Sequence, residues 1–259
     1  MEWWGNSNQF AEAVTPITLF GSKLEGWYAP ESPRTIATGV ARWDDLSAKA
    51  NHLVQATAAA QPIVTTFAGR FAVAWDGAND FMDTQSVLPM KLAIIACFGY
   101  PNNNSSPPFA WSASGATAAN RVHDLHLSSS GSIRAIQNES GPYADTLTGT
   151  AQSFYDDCIM AAGYGTAADN QLRAHLNGRV ATVNASPTAG TTQTFRMRFG
   201  QRGDNSLPAA TRFTEIIMLT DWTASDIERA EGYLAHRYGG NPLSRLISTH
   251  PYKSAPPTA

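Results

Sequence analysis

The sequence predicts an all-β fold, a two-sheet antiparallel β-sandwich of jelly-roll type with one short amphipathic helix near the C-terminus. Three observations lead there. Short apolar runs of strand length recur at spacings of roughly 8–15 residues, separated by Gly, Pro, Asn, Asp and Ser. Only one segment carries a convincing helical period. The 259 residues are 43% hydrophobic and 15% charged, against about 25% charged in an average domain, which leaves ample core and a neutral polar surface. Sandwiches of this length often form a single domain.

In chain order, residues 1–15 read as an arm in which Trp3, Trp4 and Phe10 stand among polar residues. Exposed aromatics seek a surface, either a partner's or that of the parent domain. Residues 17–20 and 24–28 are the first strand candidates, followed by a loop at Pro30 and Pro33, and residues 40–43 form a third. Gln61-Pro62 introduces a strand at 63–67. Residues 70–83 read as two short strands joined by a polar turn. Phe71, Val73 and Trp75 alternate with Ala72 and Ala74, giving one buried face, and Asp76-Gly77-Ala78-Asn79-Asp80 supplies turn chemistry.

Residues 92–98 are continuously apolar, as in a central strand buried on both faces. Segments 109–112, 121–127 and 132–137 read as a meander, and 154–164 as a further strand. Asn177-Gly178, between 171–176 and 179–183, marks a two-residue hairpin. Residues 194–200 alternate, with Phe195, Met197 and Phe199 directed inward and Arg196 and Arg198 outward. The last long strand is 212–219. Thr223 with Asp226 forms a capping box, Ile227, Ala230, Leu234 and Tyr238 make one apolar stripe, and Gly239-Gly240 then Pro242 stop the helix. The expected organisation is an arm at 1–15, a jelly roll at 16–240, and a Pro-rich, non-periodic tail at 241–259.

Composition excludes several classes. Net charge is −3 with no Lys/Arg run, which argues against a nucleic-acid partner. The first ten residues lack the basic and apolar regions of a secretory signal, and no run approaches the length of a membrane span, so a soluble protein made in a cytoplasm is expected. Cys97 and Cys158 each lie in an apolar strand; buried thiols and a cross-strand disulfide both remain open.

Several segments together resemble the laminin-G-like, concanavalin A-like lectin/glucanase superfamily, in the version found in phage and bacterial structural proteins. They are Trp27 with Ala29-Pro30; VARWDDLS (40–47) followed by Asn51-His52; Gln55 and Gln61-Pro62; and the Asp-Gly-x-Asn-Asp turn. Near the C-terminus they are Glu215-Ile216-Ile217, Tyr233-Leu234-Ala235, Arg237-Tyr238-Gly239 and His250-Pro251-Tyr252. The resemblance spans about residues 24–240 and implies a two-sheet jelly roll. It does not imply one activity, because the fold hosts lectins, glycosidases and structural modules.

Chemistry must come from a site. Glucanases similar in fold carry Glu-x-Asp-x-x-Glu on one strand, a pattern absent here; the nearest substitute is Glu215 with Asp221. Gly-x-Ser-x-Gly, His-Glu-x-x-His and Cys-x-x-Cys are also absent. His123 and His126 would lie on opposite faces of one strand. Asp76, Asn79, Asp80 and Asp83 are hard oxygen ligands within eight residues, a set better suited to calcium than Asp44-Asp45 or Asp156-Asp157, although turn-making explains the same residues more simply. No other cofactor is expected. Trp111, Tyr143 and Tyr164 could form a sugar-stacking platform, whereas Trp43 and Trp75 belong to the core. Arg202-Gly203-Asp204 reads as a plain turn.

The expectation is a non-enzymatic virion structural protein of capsid- or tail-associated type. It would be homo-oligomeric and dock on other virion proteins through Trp3, Trp4, Phe10, His250, Pro251 and Tyr252. The alternative is a carbohydrate-binding module for surface glycan, and a third reading is an endoglycanase.

Overall fold

The computed structural model describes residues 14–99, 109–114, 123–127, 133–136, 143–145, 158–165, 172–181 and 195–259. Its helices are α1 (Pro16–Phe20), α2 (Ala224–Tyr238) and α3 (Gly240–Arg245). The strands are β1 (Leu24–Tyr28), β2 (Arg34–Ile36), β3 (Val40–Trp43), β4 (Leu53–Val54), β5 (Ile63–Phe67), β6 (Arg70–Ala74), β7 (Met82–Thr84), β8 (Leu92–Gly99) and β9 (Phe109–Ala113). They continue with β10 (Asp124–Leu127), β11 (Ile133–Ile136), β12 (Tyr143–Asp145), β13 (Cys158–Tyr164), β14 (Leu172–Leu176), β15 (Arg179–Val180), β16 (Met197–Phe199) and β17 (Arg212–Thr220).

Among the described residues these strands form two antiparallel sheets, the jelly-roll sandwich that the patterning predicts. The first has eight strands in the order β15-β14-β13-β8-β17-β6-β5, with β1 also paired to β17. The second has nine, in the order β12-β11-β10-β9-β16-β7-β4-β3-β2, and contains the expected meander β9 to β11, which β12 extends by one strand. Between the sheets lies an aromatic core. Phe213 sits at its centre, with ring centroids 5.1 Å from both Trp75 and Phe98, 5.8 Å from Phe199 and 6.5 Å from Trp111. A second core lies on the outer face of the first sheet, where Ile95, Ile217, Leu219 and Trp222 meet Leu19 and Phe20 of α1 and Ile227 and Leu234 of α2. The molecule therefore has three layers, and β8, between β13 and β17 with both faces covered, is buried throughout.

The two thiols follow from this layering. Cys158 is opposite Phe98 and Ile159 is opposite Cys97, so the cysteines are one residue out of register and point to opposite faces. Cys97 joins the helix-side core and Cys158 the inter-sheet core, and no disulfide links them. The Asn177-Gly178 hairpin is present, with φ of 51° and 78° as a type I′ turn requires. α2 starts with the Thr223–Asp226 capping box and ends at Gly239.

Several expectations are corrected. Residues 17–20 are helical because Thr15 and Thr18 form a capping box around Pro16 at the first helical position. The two short strands joined by a polar turn at 70–83 are present as β6 and β7, but they do not pair with each other: β6 pairs with β5 and β17, β7 with β4 and β16, and the turn carries the chain from one sheet to the other. Arg198 does point away from the inter-sheet core that holds Met197 and Phe199, but it is buried there rather than solvated, paired with Asp83 at 2.7 and 2.8 Å and stacked 3.8 Å from the Phe81 ring. The tail is not structureless: α3 follows α2 directly, and Leu246 and His250 are buried against their own domain. His123 precedes β10 at φ 58°, so the argument from strand faces does not apply to it.

The motif residues of the resemblance form a buried polar frame. Asp45 accepts from the N–H groups of Trp27, Ser47 and Asn51 at 2.8–2.9 Å and from the Ser47 hydroxyl at 2.6 Å. Gln61 accepts from Gly39 N–H at 3.0 Å and donates to the Gln55 carbonyl at 2.9 Å.

Candidate functional site

The Asp76 turn closes on itself through side chains. Asp76 Oδ1 accepts from the N–H groups of Ala78, Asn79 and Asp80 at 2.8, 3.2 and 3.4 Å, and Asp80 Oδ2 accepts from Asp76 N–H at 3.0 Å. Asn79 Nδ2 donates to the Ala59 carbonyl at 2.8 Å, tying the turn to the short 3₁₀ segment Ala58–Ala60. Against this turn lies a cleft of about 310 Å³, lined by Thr38, Gln61, Ile63, Ala74, Asp76 and Asp80 among others. Burial pushes the Asp80 carboxyl up to about 6; the N–H of Asp76 pulls the other way, and the Asp76 charge adds to the rise. A cleft with convergent polar groups and a displaced carboxyl pKa is where a ligand is first sought. Thr38 and Ile63 also line a wider groove of about 570 Å³ between β2 and β5.

The calcium set does not assemble. Asp76, Asn79 and Asp80 serve the turn, whereas Asp83 lies on β7 and holds Arg198. Among the described residues no group of three or more His, Cys, Asp and Glu could hold a metal ion.

The proposed sugar platform is corrected. Trp111 and Tyr164 are fully buried in the inter-sheet core, where the Trp111 indole donates to the Tyr164 hydroxyl at 3.1 Å, so neither offers a ring face. Their strands β9 and β13 turn these residues inward, towards Phe199 and His123. Tyr143 lies on β12, the edge strand of the second sheet, and its side chain is outside the described residues. Trp43 and Trp75 are core residues, as expected. His123 is another, with its Nε2–H donating to the Met90 carbonyl at 2.6 Å, and burial draws its pKa down to about 3. Arg202 and Asp204 pair with each other within their turn, and Arg202 is buried.

Of the docking residues, Trp3, Trp4 and Phe10 lie outside the described residues. His250 and Tyr252 face their own domain, which corrects their assignment to a partner; Pro251 is exposed. The His250 ring lies 3.4 Å from Glu231 on α2, and Glu231 is 3.2 Å from His175 on β14. All three are buried. Burial alone would raise the Glu231 carboxyl, but the two histidines outweigh it and hold it down at about 2. Tyr252 N–H donates to His250 Nδ1 at 3.2 Å, which leaves Nε2 as the proton-bearing nitrogen directed at the carboxylate. This cluster fastens the tail to the helix.

A second buried carboxylate was legible only as a charged residue inside an apolar strand. Glu215 on β17 accepts from the Trp27 indole at 2.7 Å and the Tyr238 hydroxyl at 2.5 Å, and pairs with Arg237 at 2.9 Å. Burial raises its pKa against the pull of Arg237, Tyr238 and Trp27. Asp221, its proposed partner in catalysis, is exposed at the start of α2. The two do not share a site.

No protein-family model and no curated protein matches the chain. Solved structures do. Trypanosoma rangeli sialidase in complex with 2,3-difluorosialic acid superposes with a TM-score of 0.59 at 12% identity, over 85% of this chain and 35% of that one. The botulinum neurotoxin serotype D ligand-binding domain in complex with N-acetylneuraminic acid gives 0.58 at 8% identity, over 82% and 51%. An arabinofuranosidase complexed with arabinofuranosyl-α-1,2-xylobiose gives 0.52 at 15% identity, over 73% and 48%. The chain thus spans a third to a half of the length of these neighbours. At such identities the likeness concerns the fold.

Proposed function

We propose that the chain is a non-enzymatic carbohydrate-binding module that holds a neutral glycan in the cleft at the Asp76 turn. The observation that carries this reading is the cleft, where Gln61, Asp76 and Asp80 gather beside the aliphatic Ile63 and Ala74. Polar groups that fix orientation within apolar walls suit a small polar ligand. Two carboxylates in one cleft favour hydroxyl donors and disfavour an acidic sugar. The sugar complexes named for the three structural neighbours support carbohydrate as the ligand class; two of those sugars are acidic and one is neutral, so the preference for a neutral glycan rests on the carboxylates of this cleft.

The non-enzymatic part rests on how the carboxylates are used. Asp76 is engaged by three backbone N–H groups, and Glu215 is sealed behind Trp27, Arg237 and Tyr238. Neither is placed to activate water while Asp80 acts as an acid. An array of neutral oligosaccharides tests the reading. Binding is expected in the wild type and about tenfold weaker in Asp80→Asn, which keeps the turn's hydrogen bond but removes the charge. No glycan bound at millimolar concentration would sink the reading, and reducing ends released from polysaccharide would show an enzyme instead.

A second reading, a virion structural subunit, draws on the sequence resemblance and on the uncharged edge strand β5, a lateral contact surface of the kind a particle subunit uses. Its measure is a stoichiometric presence in purified particles.

A further inference from the structure

We propose that β5 pairs antiparallel with β5 of a second copy of this chain about a two-fold axis, joining two first sheets into one. This goes beyond the glycan reading and does not depend on it. β5 is the last strand of its sheet among the described residues, and no described strand pairs with the outer row of its peptide groups, although Val40 N–H donates to the Pro62 carbonyl just before it at 2.7 Å. Edge strands of soluble proteins are normally protected by charge, proline or a bulge. Ile63-Val64-Thr65-Thr66-Phe67 has no charge and no proline, and its ladder with β6 runs residue by residue without a bulge.

The register also explains the apolar surface beside this edge. Val64 is opposite Val73 and Thr66 opposite Phe71, so Val64 and Thr66 point inward, while Ile63, Thr65 and Phe67 point outward. Val64 is nevertheless 45% exposed, because the groove separates β5 from β2 at this end of the sandwich. Ile36 on β2 and Ile63 are each 56% exposed at the same groove. Three aliphatic side chains thus border an open strand.

The sequence of the strand selects the occupant. An antiparallel two-fold through Thr65 sets Ile63 against Phe67 of the partner subunit, Val64 against Thr66 of the partner subunit, and Thr65 against Thr65 of the partner subunit. β-Branched residues against an aromatic, and Thr against Thr, are favourable cross-strand pairs, and no like charges face each other within the paired strands. Such an interface is isologous and closes at two copies. Ile63 of each copy falls at opposite ends of the joint, so the two clefts at the Asp76 turns stay apart and the dimer presents both.

Sedimentation equilibrium from micromolar to about 100 µM is expected to show a monomer–dimer equilibrium. Thr65→Lys and Thr65→Glu are each expected to weaken it by about tenfold or more, and a mixture of the two to restore it. A wild type that stays monomeric, a Thr65→Lys protein that dimerises like the wild type, or a mixture that fails to associate would each overturn the proposal. Should the variants not fold, amide exchange of the wild type decides. Protection of residues 63–67 that grows with concentration supports the joint, and concentration-independent exchange refutes it. Glycan binding is read separately on the same samples, so either proposal can fail alone.

Discussion

Asp80 and Glu231 are both shielded from water, yet their carboxyls move in opposite directions. Asp80 has one N–H donor and a neighbouring negative charge, so burial prevails and its pKa rises to about 6 from 3.8. The folded state therefore holds that proton more tightly than the unfolded chain. Its contribution to stability is full below pH 3.8 and is lost as pH rises through about 6. Asp80→Asn is expected to remove this slope, giving a variant that gains stability relative to wild type across that window. Thermal melts at stepped pH, with equal slopes in both proteins as the contrary result, measure it. Glu231 has the reverse sign: its contribution is present above pH 4.5 and lost as pH falls through about 2. The Asp80 environment was partly legible in the sequence, because turn-forming Asp and Asn act within a few residues. The Glu231 cluster was not, because its partners come from β14 and a tail turn far along the chain.

Elements were legible where their signals are local. Thr223 and Asp226 cap α2 and Asn177-Gly178 turns the β14–β15 hairpin, both through contacts within four residues. α1 was misread because a five-residue apolar run has no period long enough to separate helix from strand. The tail was misread for a different reason: proline and the absence of a period signal irregular backbone, not solvent exposure. It is held by contacts no pattern encodes. Gly232 on α2 is one of them, since a Cβ placed there would meet Tyr252 Cβ at 2.4 Å. Helix propensity favours Ala over Gly by about 1 kcal/mol, so an isolated helix would gain from Gly232→Ala. In this protein the same change is expected to displace the tail and lower stability. Limited proteolysis at Lys253 should accelerate while the far-UV circular dichroism stays helical and β-rich. Unchanged cleavage would show that the tail accommodates the methyl group.

For the whole molecule, the inter-sheet core is the main source of cohesion, and Phe213 is where its rings meet. Phe213→Ala is expected to cost about 3–5 kcal/mol through lost burial and a residual cavity, read as a lower urea midpoint. A loss under 1 kcal/mol would mean that the neighbouring rings collapse into the space. The all-β class, most strand positions, the capped helix and the core placement of Trp43 and Trp75 are encoded locally along the chain. These depend on side-chain period and on turn and cap chemistry within a few residues. Long-range packing settles which strands share a sheet, carries the Asp76 turn from one sheet to the other, and places Trp111 and Tyr164 inside. It also sets two cysteines on adjacent strands facing apart and makes β5 an uncharged edge strand among the described residues. The physical reason is the same in each case. Pairing register and sheet order depend on which distant segments bury their apolar faces together, and a one-residue shift of register reverses every side chain on a strand.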